Sequence, residues 1–505
     1  MASLRGSALK NNPSARCLAV FGTGSDVGKS VIATGICRAL VRRGLRVAPF
    51  KAQNMSNNSG VTPEGLEMGR AQIVQAEACA IAPQVDMNPI LLKPTSEVGS
   101  QVVLLGEALS NQTAAEYHRH KERLFRTAAG ALDRLRRKFE IVVLEGAGSC
   151  AEVNLAAHDI VNFRMAEHAR APVILVADIH RGGVFAQIVG TLACLEAKRR
   201  EQVAGFIVNR FRGDLNLFRD GVEWIERRTG KPVFGVLPWY RHFAIEQEDS
   251  VVLEQVPRTR PPLEGRSGIA VIRLPHISNF TDFEALQAVE DLAVVFLDKV
   301  QPLDGFRAVV LPGSKNTRAD LAWLHTSGWS GVIRHFYASG GHVLGICGGY
   351  QMMGRVVKDP GGLEGKTGET EGLGLLPVET ALQAPKTTTL TDFEWADREG
   401  RGYEIHMGRT RRQGAPPLTR VLARNAEACR DEDGCRTDDG RAMGTYLHGV
   451  FDTPAVLRQW LAEIGLGHLK TGALTGPEVR QRAYDALADH MEAHLDMQAI
   501  MGLVG

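Results

Sequence analysis

Short apolar runs rich in β-branched residues, at 18–21, 46–50, 141–144, 173–177, 204–208 and 233–237, alternate with stretches of helical periodicity over the first half of the chain. A short run that is apolar on both faces reads as a covered strand, and its alternation with helices predicts a mostly parallel sheet between helical layers. The pattern breaks at Val256-Pro257-Arg258-Thr259-Arg260-Pro261-Pro262. Such a segment can be neither helix interior nor central strand, so a domain boundary is expected there. Beyond it, runs at 269–274, 293–296, 308–311 and 342–346 begin a second α/β sheet, 375–446 is richer in strands, and helices are expected at 454–464 and 478–495. The expected layout is a flexible N-terminus (1–16), a first α/β domain (17–255), a linker (256–266), a second α/β domain (267–465) and a helical extension (466–505).

Length supports two or three compact units, since 505 residues exceed what one core usually serves. The formal net charge of +2 gives no global case for nucleic acid, so an anionic ligand has to be met by local groups. The eight cysteines show no paired metal spacing and read as free thiols of a reducing compartment. The N-terminal stretch lacks the apolar core of a signal peptide, and no apolar run is long enough to span a bilayer. A cytoplasmic protein without a membrane or nucleic-acid partner is expected. Homo-oligomer formation stays open.

Two motifs carry the chemistry. The first is Gly22-Thr23-Gly24-Ser25-Asp26-Val27-Gly28-Lys29-Ser30, between an apolar strand and a helical pattern. Glycines let backbone N–H groups turn onto phosphate oxygens, Lys29 would reach the terminal phosphates of a nucleotide, and the Ser30 hydroxyl suits Mg²⁺. The usual pattern has glycine at position 23, where this chain has Thr23, so the loop is a variant. Glu145 and Asp178 end two strands and are further candidates for the metal.

The second motif is the apolar run at 342–346 ending on Cys347-Gly348-Gly349-Tyr350-Gln351, a strand that delivers a cysteine onto a tight turn before a helix. The glycines permit a nucleophile elbow, and a helix N-terminus favours the thiolate. His448, in Gly444-Thr445-Tyr446-Leu447-His448-Gly449, is the candidate base, distant in sequence as such partners commonly are. Gly313, Ser314, Gly348 and Tyr350 are candidates for an oxyanion and glutamine pocket. Together the motifs point to amide synthesis driven by ATP, with ammonia drawn from glutamine.

Other clusters carry less. His490 and His494 read as a solvated helix face. The segment Arg430-Asp431-Glu432-Asp433-Gly434, between Cys429 and Cys435, reads as a hairpin tip. Basic residues at 134–138 and 198–200 suit helix ends.

Over essentially its whole length the chain resembles the cobyric acid synthases, glutamine-dependent amidases of the cobalamin pathway. The resemblance rests on the phosphate loop, Lys51-Ala52-Gln53-Asn54-Met55-Ser56-Asn57-Asn58, Met87-Asn88-Pro89-Ile90-Leu91-Leu92-Lys93-Pro94, Glu145-Gly146-Ala147-Gly148-Ser149, Arg181-Gly182-Gly183-Val184-Phe185-Ala186, Ile277-Ser278-Asn279-Phe280-Thr281-Asp282, Leu311-Pro312-Gly313-Ser314-Lys315-Asn316-Thr317 and Tyr446-Leu447-His448-Gly449. It implies a phosphate-loop domain similar to dethiobiotin synthetase and a flavodoxin-like class I-type glutamine amidotransferase domain. ATP, Mg²⁺ and glutamine are implied, with a corrinoid polycarboxylate as substrate and Lys51, Gln53, Asn54, Lys93 and Arg181 as phosphoryl or substrate contacts. The related a,c-diamide synthase is the alternative enzyme. A nucleotide switch with an inert second half is the non-enzymatic alternative, against which both Cys347 and His448 are present. Two positions depart from expectation. Position 450, where a class I triad places Glu, is Val450, leaving Glu404 as the candidate for orienting His448. The Asp usual between Ile179 and Arg181 is His180, to which no role is transferred.

Overall fold

The structure, a computed structural model, describes residues 15–94, 99–113, 117, 119–240 and 266–505. Residues 1–14 and most of the expected linker lie outside them.

Six parallel strands form the first sheet, in the spatial order Val233–Pro238, Val203–Phe211, Val173–Asp178, Arg16–Gly22, Ile141–Glu145 and Val47–Phe50. Their side chains divide by alternation between two cores: Ala19, Phe21, Val142 and Leu175 pack into one, Leu18, Val20, Val143 and Ile174 into the other. Strands covered on both faces have no polar face, which explains the unbroken apolar runs. The phosphate loop follows the central strand Arg16–Gly22, and the neighbouring strands end on Glu145 and Asp178. In such sheets ligands gather beyond the carboxyl ends of the strands.

The second sheet runs Leu292–Leu297, Ser267–Ile272, Phe306–Leu311, His342–Ile346 and Ala442–Thr445 in parallel, with Cys435–Arg436 antiparallel at its edge. Numbered along the chain, the parallel strands take the order 2-1-3-4-5, the flavodoxin-like arrangement.

Two expectations change. The helix Gly476–His494, in the expected helical extension, packs on the first domain: Tyr484, Leu487 and Met491 are buried in the core formed by the helix Lys29–Arg42 and one face of the first sheet. Ion pairs Arg38–Asp485 at 2.8 Å and Arg42–Asp489 at 2.6 Å border the contact. Within this helix His490 is half-buried and bonds the Pro238 carbonyl, so it is not a freely solvated side chain. The acidic segment after Cys429 is no hairpin tip either. It lies within the strand Glu427–Asp433, pairs with Thr419–Arg424, and finds a cation in Arg424, 2.6 Å from Asp431. The turn falls earlier, at Asn425 and Ala426, both at positive φ.

The domains meet beside both candidate sites. The Ser59 N–H donates to Asn279 Oδ1 at 3.0 Å, and Lys386 pairs with Glu67 at 2.6 Å. No helix among the described residues is long and apolar enough to cross a membrane.

Candidate active site

The phosphate loop opens onto a cleft of about 1280 Å³. Gly28 starts the following helix at φ +95°, and no side chain caps that end. A Cβ there would sit 2.2 Å from Asn209 Nδ2, which donates to the Val27 carbonyl at 2.8 Å, so only glycine fits. Ser25, Asp26, Gly28, Lys29 and Ser30 line the cleft. Gly22, Thr23, Gly24 and Val27 frame it: Thr23 N–H bonds the Val176 carbonyl at 3.0 Å, Gly24 O accepts from Lys29 Nζ at 3.1 Å, and Val27 is buried.

Glu145 is the buried hub below the loop. Its Oε1 accepts from Ser30 Oγ at 2.8 Å and from Lys51 Nζ at 2.9 Å, and its Oε2 accepts from Gln75. A carboxylate this buried requires such partners. The paired hydroxyl and carboxylate oxygens of Ser30 and Glu145 are hard donors of the kind Mg²⁺ takes alongside nucleotide phosphates. Asp178 is differently engaged, bonding Arg210 at 2.9 Å and the His180 N–H at 2.7 Å. Among the described residues no three His, Cys, Asp or Glu side chains group into a metal site.

Lys51, Gln53, Asn54 and Arg181 line the cleft, and His180 lines it while packing on Trp239 at 4.7 Å. Lys93 does not. Its strand, Ile90–Pro94, sends Pro94 to the cleft and Lys93 to the other side, where Nζ donates to Ser59 Oγ at 2.7 Å and Glu67 Oε1 at 2.8 Å. Adjacent residues of an extended strand face opposite ways, and this alternation separates Lys93 from the phosphate loop.

In the second domain Cys347 sits at φ 52°, ψ −108°, between the strand His342–Ile346 and the helix Gly348–Met353. A non-glycine residue there costs about 1–3 kcal/mol, and surrounding contacts must hold it. Cys347 N–H donates to the Thr445 carbonyl at 2.7 Å, and Gly349 lies so close to the neighbouring strand that a Cβ would be 2.0 Å from Leu311 O. Sγ lines a small pocket of about 40 Å³ with Ser278, Ser314, Gly348, Thr317, Gln351 and His406. Gly313 borders His448, whose Cε1 would be 3.0 Å from a Cβ there. Tyr350 is not part of the pocket: its ring is buried behind the turn against Gly444 and Tyr446.

His448 is fully buried, with Tyr403 stacked on its ring at 5.2 Å. Its Nδ1 meets Asp282 Oδ2 at 2.7 Å, and Asp282 Oδ1 accepts the Gly449 N–H at 2.8 Å. Asp282 therefore orients the imidazole, and Glu404 does not. Glu404 is held by Arg424 and Thr391, each at 3.0 Å, and by His406 at 3.3 Å. Burial by itself would lower the His448 pKa. The charges of the Asp282 carboxylate and the Cys347 sulfur, with the Asp282 hydrogen bond, outweigh it and raise the pKa to about 10.

The sign follows from that rise. A histidine whose folded pKa exceeds the ordinary 6.5 stabilises the fold fully below that value, and the contribution is lost as pH climbs through about 10. Asp282→Asn is expected to lower the glutaminase kcat by on the order of 10²- to 10⁴-fold and to shift the alkaline limb of its pH profile downward. A pH–rate series measuring glutamate release checks both.

The Asp282 signal was present in the sequence: the residue closes the segment Ile277-Ser278-Asn279-Phe280-Thr281-Asp282. Only the fold reveals which histidine it serves.

Fold and site define a class, a phosphate-loop nucleotide-binding domain joined to a glutamine amidotransferase domain. Residues 18–251 match the CobQ/CobB/MinD/ParA nucleotide binding domain, and residues 268–456 match the CobB/CobQ-like glutamine amidotransferase domain. The chain is 50% identical over 500 residues to a cobyric acid synthase of Pelodictyon phaeoclathratiforme, covering 98% of this chain and 99% of the relative. It is 46% identical over 486 residues to that of Chloroflexus aurantiacus, covering 95% and 97%. A solved glutamine amidotransferase overlaps 39% of this chain and 98% of its own, at 19% identity and a TM-score of 0.30. The chain belongs to the cobyric acid synthase family of glutamine-dependent ligases.

Proposed function

We propose that this chain amidates the b, d, e and g carboxylates of adenosylcobyrinic acid a,c-diamide, giving adenosylcobyric acid in cobalamin biosynthesis, with ATP as energy source and glutamine as nitrogen donor. The observation that carries the reading is the pairing, in one chain, of the Lys29–Ser30–Lys51–Glu145 cleft with the Cys347–His448–Asp282 line. The cleft supports a large substrate, since 1280 Å³ exceeds the roughly 300–1,000 Å³ of ordinary small-ligand sites. Lys51, Lys121, Arg181, Arg199 and Arg210 on its walls suit a polycarboxylate.

At the second site the Cys347 thiolate attacks the glutamine γ-carbonyl carbon, and the C–N bond breaks as the His448 imidazolium gives its proton to the departing nitrogen. Water then cleaves the γ-glutamyl thioester, with His448 as base, and glutamate leaves. In the cleft a substrate carboxylate oxygen takes the γ-phosphoryl group of ATP, releasing ADP, while Lys29 and Lys51 stabilise the charge on the transferring group. Ammonia attacks the acyl phosphate carbon and expels phosphate. Mg²⁺, for which Ser30 and Glu145 are the fitting ligands, would neutralise charge on the nucleotide phosphates.

Given the a,c-diamide, ATP and glutamine, the protein is expected to add up to four amide nitrogens, one ATP consumed for each. Partly amidated species should appear if product leaves between turns, because a large substrate must re-orient to present each carboxylate to one phosphoryl site. Mass spectrometry of the corrinoid products reads this directly. Acceptance of fully acidic cobyrinic acid with a stop after two additions, at a and c, would assign the sister activity instead.

A further inference from the structure

The cleft and the thiol pocket are separated by a wall about one residue thick, built by both domains. On the strand Ile277–Ser278, Ile277 lines the cleft and Ser278 the pocket. On Ile90–Pro94, Pro94 lines the cleft and Lys93 the pocket. Between them Asn58 lines the cleft, while the next residue, Ser59, bonds through its N–H to Asn279 of the pocket wall at 3.0 Å. Two neighbouring pairs therefore face opposite cavities across one seam, and the Ser59–Asn279 bond ties the cleft wall to the pocket wall beside them.

A buried charge cluster closes that seam. Glu67, 1% exposed, accepts from Lys93 and Ser59 of its own domain, each at 2.8 Å, and from Lys386 of the other domain at 2.6 Å. Lys386, Lys93, Lys315 and Glu364 line the pocket beside Cys347 and His406, so three lysines face two glutamates there.

We propose that ammonia released at Cys347 crosses to the cleft at this seam, and that Glu67, by clamping Lys93 to Lys386 across the domain boundary, is the positioning residue that seals the crossing from solvent. The inference rests on the glutaminase and ligase roles given above. The excess of buried positive charge disfavours a further cation and so favours the neutral, nucleophilic form of ammonia. Consistent with this, burial and then the neighbouring lysines press the Lys315 pKa down to about 7, and burial with Lys93 presses Lys386 to about 8 against the pull of Glu67.

The test is the ratio of glutamate formed to amide formed in Glu67→Gln and, from the opposite domain, Lys386→Met, with free ammonia in the medium assayed in parallel. In the unmodified protein the ratio should stay near unity. In either variant it should rise severalfold, with ammonia escaping into the medium, while synthesis from ammonium salt is retained and certifies the fold of the ligase domain. A merely structural contact would lower both activities without moving the ratio. An unchanged ratio in both variants overturns the seam. An unmodified protein that makes no amide from glutamine overturns the reading beneath it, and the seam with it.

Discussion

Cys347→Ala is expected to reduce glutamine-dependent amide synthesis by on the order of 10³-fold or more while leaving synthesis from a high concentration of ammonium salt intact. The thiolate is needed only to break the C–N bond of glutamine, and Cys347 lines the thiol pocket and not the phosphate-loop cleft. Alanine must still accept the φ of 52°, but the contacts of the turn with Thr445 and Leu311 are made by backbone and do not involve the sulfur. Ammonium-supported synthesis is therefore both the predicted survivor and the control for folding. The measurement is amide formation with each nitrogen source in turn. Equal loss with both, in a variant that remains folded, would contradict the division of labour between the domains.

Much of this arrangement is legible in the chain itself. The apolar runs locate the strands because both faces of each sheet are covered, and glycine placement marks both turns because Gly28 and Gly349 sit where a Cβ would strike Asn209 or Leu311. What the sequence did not reveal is set by tertiary pairing. Asp282 lies 166 residues from His448, and no periodicity links them. Glu404 was the candidate for orienting His448, yet Arg424 and Thr391 on neighbouring strands claim its carboxylate. Lys93 was misassigned for a subtler reason. Strand alternation puts it and Pro94 on opposite sides of a wall, and the sequence alone does not say which of the two faces the phosphate loop. The C-terminal helix followed the second domain in sequence but packs on the helix of the phosphate loop, since Gly35 leaves room for Met491, whose Cγ would lie 2.6 Å from a Cβ there. Chain order is a weak guide to which core a terminal helix completes.

Lys29→Ala is expected to abolish amide synthesis from glutamine and from ammonium salt alike, a loss of about 10²-fold or more. Energy coupling, unlike ammonia supply, cannot be bypassed from outside: with Lys29 gone from the transferring phosphoryl group, too little acyl phosphate forms for either nitrogen source to attack. Lys29 Nζ reaches the carbonyls of Gly24 at 3.1 Å and Gly148 at 3.0 Å, so it spans the mouth of the loop from the helix to the turn after Glu145. Lys51 remains on Glu145 in the variant and preserves the buried ion pair below. The loss should therefore appear in the chemical step, with glutaminase activity at Cys347 surviving. The nucleotide product discriminates further. The unmodified protein should release ADP and phosphate in step with amide, since the roles given to Lys29 and Lys51 stabilise a transferring γ-phosphoryl group. Release of AMP and pyrophosphate would mean attack at the α-phosphate and an adenylate intermediate, and would overturn the phosphoryl-transfer mechanism while leaving the glutaminase site untouched.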